Sequence, residues 1–179
     1  ITTGQGGVVV TNDKKLYKKL ILLRDQGRYR DKKNQSRYIY KGFNFKFTDL
    51  QSGLGLSQIK NFKKRKEKLL NIFKFYKKNL IKSKNFKIID FDIKKGELPL
   101  WTDVYCTRAK SLYNYLKRKG IFCRFFWEPI NTLKPYKKSF KNLQTSKKLK
   151  NNLMWLPSGQ DLKKNELKFI CSSINQFFK

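Results

Sequence analysis

Few side chains in this sequence are arranged for catalysis by spacing alone. Histidine is absent, which removes His-based zinc sites, Ser–His and Cys–His nucleophile pairs and the commonest general base. Asp90 and Asp92 sit two residues apart, but nothing around them marks a general acid/base pair. The three cysteines, Cys106, Cys123 and Cys171, are odd in number and none is in CxxC spacing. That argues against a disulfide framework and a thiolate metal site, and no metal is expected. Cys106 and Cys123 lie in apolar stretches, where a buried thiol is inert. Gly4-Gln5-Gly6-Gly7 could bring backbone close to a phosphate. It precedes a β-branched run, whereas phosphate-cradling loops precede helices, so a tight turn is the better reading.

The elements that would position these groups alternate along the chain. Val8–Val10 reads as a buried strand. Asn12 or Asp13 can cap a helix with Leu16, Tyr17, Leu20, Ile21 and Leu23 on its apolar face, and Gly27 is a plausible stop. Residues 28–46 are polar and aromatic with no period, and such a long loop in a compact domain is usually functional or disordered. Thr48 and Asp49 open a second helix bearing Leu50, Leu54, Leu56, Ile59 and Phe62, in which Gly53 and Gly55 permit close packing. The helical pattern runs on through Lys63–Ser83 as a link between two lobes. Strands are expected at Phe86–Asp90, Trp101–Cys106, Ile121–Trp127 and Leu153–Leu156, with helices at Arg108–Lys119, Lys147–Asn151 and Leu162–Phe178. From Phe86 the order of the main elements is β-β-α-β-β-α, which predicts a small α/β lobe.

Composition bounds the function class. With 179 residues, 39% of them hydrophobic, the chain can bury a core. The 43 Lys+Arg against 12 Asp+Glu give a formal net charge of +31, which in one reading marks a polyanion partner. The lysines are spread along the whole chain beside abundant Asn, Ile and Phe, and this favours compositional bias over a nucleic-acid footprint. Either way the charge attracts an anionic substrate. No apolar run approaches the roughly 20 residues of a membrane span, so no membrane partner is expected.

The order of the segments carries more. Thr2-Thr3-Gly4-Gln5-Gly6-Gly7-Val8-Val9-Val10-Thr11-Asn12-Asp13 resembles a "TTGEGG-hydrophobic-TND" stretch, with Gln5 in place of Glu. Leu22-Leu23-Arg24-Asp25-Gln26-Gly27-Arg28 resembles "LLRxHGR", with Gln26 in place of His. Gly42 to Ile59 resembles "GYNxRxTDLQAALGLAQL", with Lys46 in place of Arg and Ser52-Gly53 in place of Ala-Ala. Gly120 to Ile130 resembles "GIxxRxFFxPLH", with Asn131 where His is common. These blocks, in this order, resemble the DegT/DnrJ/EryC1/StrS family of sugar aminotransferases over essentially the whole chain.

The resemblance implies an α/β fold, that of the fold-type-I pyridoxal phosphate transferases. Residues 1–62 would be the C-terminal part of the cofactor-binding large lobe. Residues 63–179 would be the small C-terminal α/β lobe with its linking helix. It further implies a cytoplasmic enzyme that uses pyridoxal 5'-phosphate to move an amino group from glutamate to a nucleotide-linked keto-sugar, with a lean toward a 4-keto-sugar. The pathway would be surface-polysaccharide or aminosugar synthesis, and the enzyme a homodimer with shared active sites. The lysine that holds the cofactor as a Schiff base is expected just upstream of Ile1, so no catalytic residue is assigned within the chain. By match to the family, Asn44 would reach the cofactor phosphate of the partner subunit. Arg124, Tyr40 and Lys46 would touch the substrate, with Arg124 suited to a diphosphate. Phe125, Phe126 and Trp127 read as core or interface rather than as a nucleotide-stacking platform. The competing readings are a basic nucleic-acid-binding protein, an inactive truncated product, and a relative with altered chemistry such as a dehydratase.

Overall fold

The computed structural model describes residues 1–136 and 143–179, and the chain divides into two compact units, Ile1–Phe62 and Lys63–Lys179.

The first unit is built from local signals. Helix α1 (Lys14–Arg24) begins where the Asp13 carboxylate accepts the amides of Lys15 and Leu16, two of the donors a helix start leaves unpaired. Strands β1 (Arg28–Arg30) and β2 (Ser36–Tyr38) form an antiparallel hairpin, where the sequence predicts only a loop. Its turn is made by Asp31, whose side chain accepts from the amides of Lys33 and Gln35, and by Asn34 in the left-handed region at φ 60°. Helix α2 (Asp49–Lys60) opens on a reciprocal capping box between Thr48 and Gln51. The expected Val8–Val10 strand does not form. These residues pair with no strand, and Val8, Val9 and Val10 are 87%, 70% and 88% exposed. A β-branched run becomes a strand only where a neighbouring strand accepts its hydrogen bonds, and β1–β2 pairs only with itself.

The expected continuous helix from α2 onward is also interrupted. α2 ends at Asn61, whose side-chain amide donates to the Ser57 carbonyl and competes with the helical ladder. Helix α3 (Phe62–Asn79) then begins.

The second unit is a four-stranded antiparallel sheet with its apolar core on one face. The strands are β3 (Phe86–Ile88), β4 (Thr102–Cys106), β5 (Arg124–Phe125) and β6 (Leu153–Leu156), in spatial order β3-β4-β6-β5. β5 covers only two residues of the strand expected over Ile121–Trp127. Helices α4 (Ala109–Arg118), α5 (Gln144–Leu149) and α6 (Lys164–Phe177) complete the unit. Alternation along β4 and β6 separates the faces. Val104, Cys106, Met154 and Leu156 join Ile72, Tyr76 and Leu80 of the α3 region, Leu112 and Leu116 of α4, and Leu167, Ile170, Cys171 and Ile174 of α6 in one apolar core. Each fully buried aliphatic side chain there contributes about 1.5–3 kcal/mol of transfer free energy. The opposite face carries Asp103, Tyr105 and Trp155.

Candidate functional site

In the first unit the segment that bears Asn44 is fixed by backbone. The amides of Phe43 and Phe45 donate to the carbonyls of Leu23 and Arg24, and the amide of Gln26 donates to the Phe43 carbonyl. These contacts occupy carbonyls that the end of α1 would otherwise leave open. Gly27 sits at φ 73°, and a Cβ there would lie 1.8 Å from the Tyr40 carbonyl oxygen. A Cβ on Gly42 would lie 2.0 Å from the Gly27 nitrogen. The two chain segments touch main chain to main chain, and only glycine fits at either contact.

This clasp orients Asn44. Phe43 and Phe45 stack at 5.0 Å on one side, and alternation in extended backbone sends the Asn44 side chain to the other. Asn44 is exposed and makes no side-chain hydrogen bond among the described residues. Its amide offers two N–H donors, a donor set that fits a phosphate oxygen. Tyr40 is 49% exposed. Lys46 is committed elsewhere: its Nζ lies 2.9 Å from Asp25 Oδ1, while Arg28 Nη2 lies 2.7 Å from Asp25 Oδ2. The hydrogen bonds from Arg28 and then Lys46 hold the Asp25 carboxyl below its ordinary pKa. The segment Thr2–Gly6 lies along α2. Gln51 Nε2 donates to the Gln5 carbonyl at 3.1 Å, and Thr3 Cγ2 lies 3.3 Å from where a Gly55 Cβ would stand. Gly55 thus permits the close packing expected of it, whereas a Cβ on Gly53 would meet nothing within 4 Å.

In the second unit Arg124 stands on the sheet face turned away from the apolar core. It pairs across from Trp155, which pairs on its other side with Asp103. Directly opposed residues share a face, so Asp103, Trp155 and Arg124 form a row across three strands. Arg124 is exposed and has no ion-pair partner among the described residues. Phe126 and Trp127 pack on Trp155 at 4.8 and 4.6 Å between ring centres. Trp127 remains 68% exposed, so it is not a core residue of this unit. Asn131 is half-buried, and its side-chain oxygen is buried without a hydrogen-bond partner.

The remaining titratable groups are occupied structurally. Asp90 is paired with Lys77 Nζ at 2.6 Å, and Asp92 accepts the Lys95 amide in a short 3-10 turn. Burial pushes the thiols of Cys123 and Cys171 up to about 12, far from the thiolate a nucleophile needs. Among the described residues no group of three or more Cys, Asp or Glu could hold a metal ion, and no helix is long and apolar enough to cross a membrane.

Comparison with known proteins extends this picture. A model of the DegT/DnrJ/EryC1/StrS aminotransferase family matches residues 1–175. The chain is 30% identical to a GDP-perosamine synthase of Escherichia coli O157:H7 over 185 aligned residues, covering 99% of this chain and 49% of that protein. It is 30% identical to a UDP-4-amino-4,6-dideoxy-N-acetyl-beta-L-altrosamine transaminase of Campylobacter jejuni, covering 95% and 47%. Among solved structures, Helicobacter pylori PseC, an aminotransferase involved in the biosynthesis of pseudoaminic acid, superposes with a TM-score of 0.77 at 25% identity, over 99% of this chain and 50% of that one. The chain therefore spans about half the length of the relatives it matches, and its fold is that of the fold-type-I aminotransferases.

Proposed function

Because the chain belongs to the DegT/DnrJ/EryC1/StrS aminotransferase family, we propose that the protein it represents moves an amino group from glutamate to a nucleotide-linked keto-sugar, for surface-polysaccharide or aminosugar synthesis. The cofactor of this family is pyridoxal 5'-phosphate, which supplies an electron sink when bound. The observation that carries the reading is the family match over residues 1–175. The names of the two relatives, one a GDP-sugar and the other a UDP-sugar enzyme, support a nucleotide-linked acceptor, and a 4-keto-sugar in particular.

Residues 1–62 act as part of the cofactor-binding lobe and 63–179 as the small lobe, in a cytoplasmic homodimer with shared active sites. Asn44 donates its amide N–H to a cofactor phosphate oxygen of the partner subunit. Its exposed, unpaired amide and its backbone-fixed position support that role. Arg124, exposed and without an ion-pair partner among the described residues, binds the substrate diphosphate by paired N–H donors. Tyr40 borders the substrate. Lys46, held by Asp25, acts by positioning its loop, and it reaches substrate only by leaving that pair. None of the lysines of 1–179 is assigned to holding the cofactor.

The test uses the full-length protein from its natural reading frame. Incubation with pyridoxal phosphate and then glutamate should give a cofactor absorption that glutamate bleaches, and amino transfer to a UDP- or GDP-linked 4-keto-sugar should follow. Asn44→Ala should weaken cofactor retention about tenfold or more, the size of one hydrogen bond to a charged group. A protein that retains no cofactor, and instead binds oligonucleotides with a steep salt dependence, is the basic nucleic-acid-binding protein suggested by the +31 charge.

A further inference from the structure

The chain contains three tryptophans, and all three meet on the sheet face turned away from the apolar core. Trp155, only 5% exposed, is the base of the cluster. Trp101 stacks on it at 4.8 Å with the ring planes 25° apart, and Trp127 meets it edge-on at 4.6 Å and 75°. Trp101 and Trp127 stand 6.2 Å apart at 83° to one another. They are 43% and 68% exposed, so the cluster presents an open corner of two nearly perpendicular indoles.

The corner is built rather than incidental. Ser158 Oγ accepts the Thr102 amide at 2.9 Å and donates to the Leu156 carbonyl. This fixes the end of β6 to the start of β4 and so sets Trp101 beside Trp155. Asp103 stands opposite Trp155 in the ladder, half-buried, and burial pushes its carboxyl up from the ordinary carboxylate value despite the neighbouring indole. Arg124, on the other side of Trp155, lies about 5 Å away at Cβ as a directly opposed pair and has no ion-pair partner among the described residues. The nearby carboxylates do not oppose an anion equally. Glu128 is paired with Lys150 at 2.5 Å, while Asp103 stands one strand further from Arg124, beyond Trp155.

We infer that the Trp101–Trp127 corner and Arg124 together form the recognition site for the nucleoside diphosphate part of the substrate, the base stacking on an exposed indole and the diphosphate meeting the guanidinium. Aromatic faces stack any base, and stacking tolerates its identity, so this site holds the nucleotide without selecting strongly between uracil and guanine. Trp155, against which both exposed indoles pack, is a positioning residue. The inference rests on the nucleotide-sugar reading for the choice of ligand and on the sheet register for the choice of site.

Within residues 1–179 every tryptophan lies in the cluster, so a ligand-induced emission change that differs between the unaltered and the Trp127→Ala protein reports on this site. Titration of the protein with UDP and with GDP should change that emission saturably. Uridine should bind more weakly, and inorganic pyrophosphate should leave the emission unchanged. Trp127→Ala should weaken UDP binding at least about tenfold, with Trp127→Phe restoring most of it. Arg124→Gln should weaken UDP but not uridine. Unchanged far-ultraviolet circular dichroism of the Trp127→Ala protein shows that its fold is kept. The inference is overturned if pyrophosphate matches UDP, if Trp127→Ala binds UDP normally, or if a single-stranded oligonucleotide binds far more tightly than the mononucleotide with a steep salt slope. A protein that retains pyridoxal phosphate and reacts with glutamate, but whose emission ignores UDP and GDP, also overturns it while leaving the aminotransferase reading intact. Saturable UDP quenching lost in Trp127→Ala supports the corner even where cofactor retention fails.

Discussion

The two units of this chain use apolar residues in opposite ways. In residues 63–179 the periodic positions of three helices and one sheet face converge on a core in which Phe86, Val104, Leu112, Leu116, Met154 and Ile174 have no exposure. In residues 1–62 the only buried residues are two glycines, Gly27 and Gly55. Leu50, Leu56 and Ile59 of α2 are 88%, 62% and 60% exposed. Both units have capped helices and paired strands. The difference teaches that helix caps, turns and main-chain contacts can specify secondary structure without a core. Burial instead requires enough surrounding apolar surface. The reading of residues 1–62 as one part of a larger cofactor-binding lobe accounts for the contrast.

The comparison can be broken most directly by truncating one apolar side chain in each unit. Phe86→Ala should destabilise the protein by about 3–5 kcal/mol, read as a drop in the denaturation midpoint in urea. Made in residues 1–179 alone, where Leu50 is 88% exposed, Leu50→Ala should change it by less than about 0.5 kcal/mol. A large loss from Leu50→Ala would mean that α2 is covered in solution. A smaller effect sharpens the claim that backbone contacts hold the first unit. Gly27→Ala places a Cβ against the Tyr40 carbonyl in a left-handed conformation. It should cost about 1–3 kcal/mol locally, seen as faster hydrogen exchange at the amides of Gln26, Phe43 and Phe45 while the amides of β4 and β6 stay protected. The smallest effect concerns pH. The Asp25 carboxyl is held below its ordinary value of 3.8 by Arg28 and Lys46. Its contribution to stability is present above that value and is lost as pH falls through the lowered one. An NMR titration of Asp25 should show a midpoint below 3.8, and Asp25→Asn should remove that part of the acid-side slope.

Much of this was legible in the sequence, for physical reasons that differ by residue. Asp13 and Thr48 announce α1 and α2 because a cap is a contact within a few residues. The β-β-α-β-β-α order emerged because Leu112, Leu116, Ile170 and Ile174 keep a helical period facing one sheet. Val8–Val10 misled, since β-branched composition states a preference and not a partner. The β1–β2 hairpin was missed although Asp31 and Asn34 are turn residues, because Arg28–Tyr38 has no apolar alternation. The pairing of Asp25 with Lys46 joins distant positions and leaves no local trace. The tryptophan cluster was illegible for the same reason: Trp101, Trp127 and Trp155 become neighbours only through the register of β4, β5 and β6.

The glycine clasp has a consequence for engineering. Gly27 and the Tyr40–Gly42 segment meet through main chain, so the hairpin between them leaves and returns through one narrow gate. The backbone segment bearing Asn44 is anchored on the far side of that gate by bonds to Leu23 and Arg24. The hairpin tip from Asp31 to Gln35 is therefore the place to graft an affinity tag or a fluorophore-bearing insert, because the inserted residues hang beyond the gate and Asn44 keeps its seat.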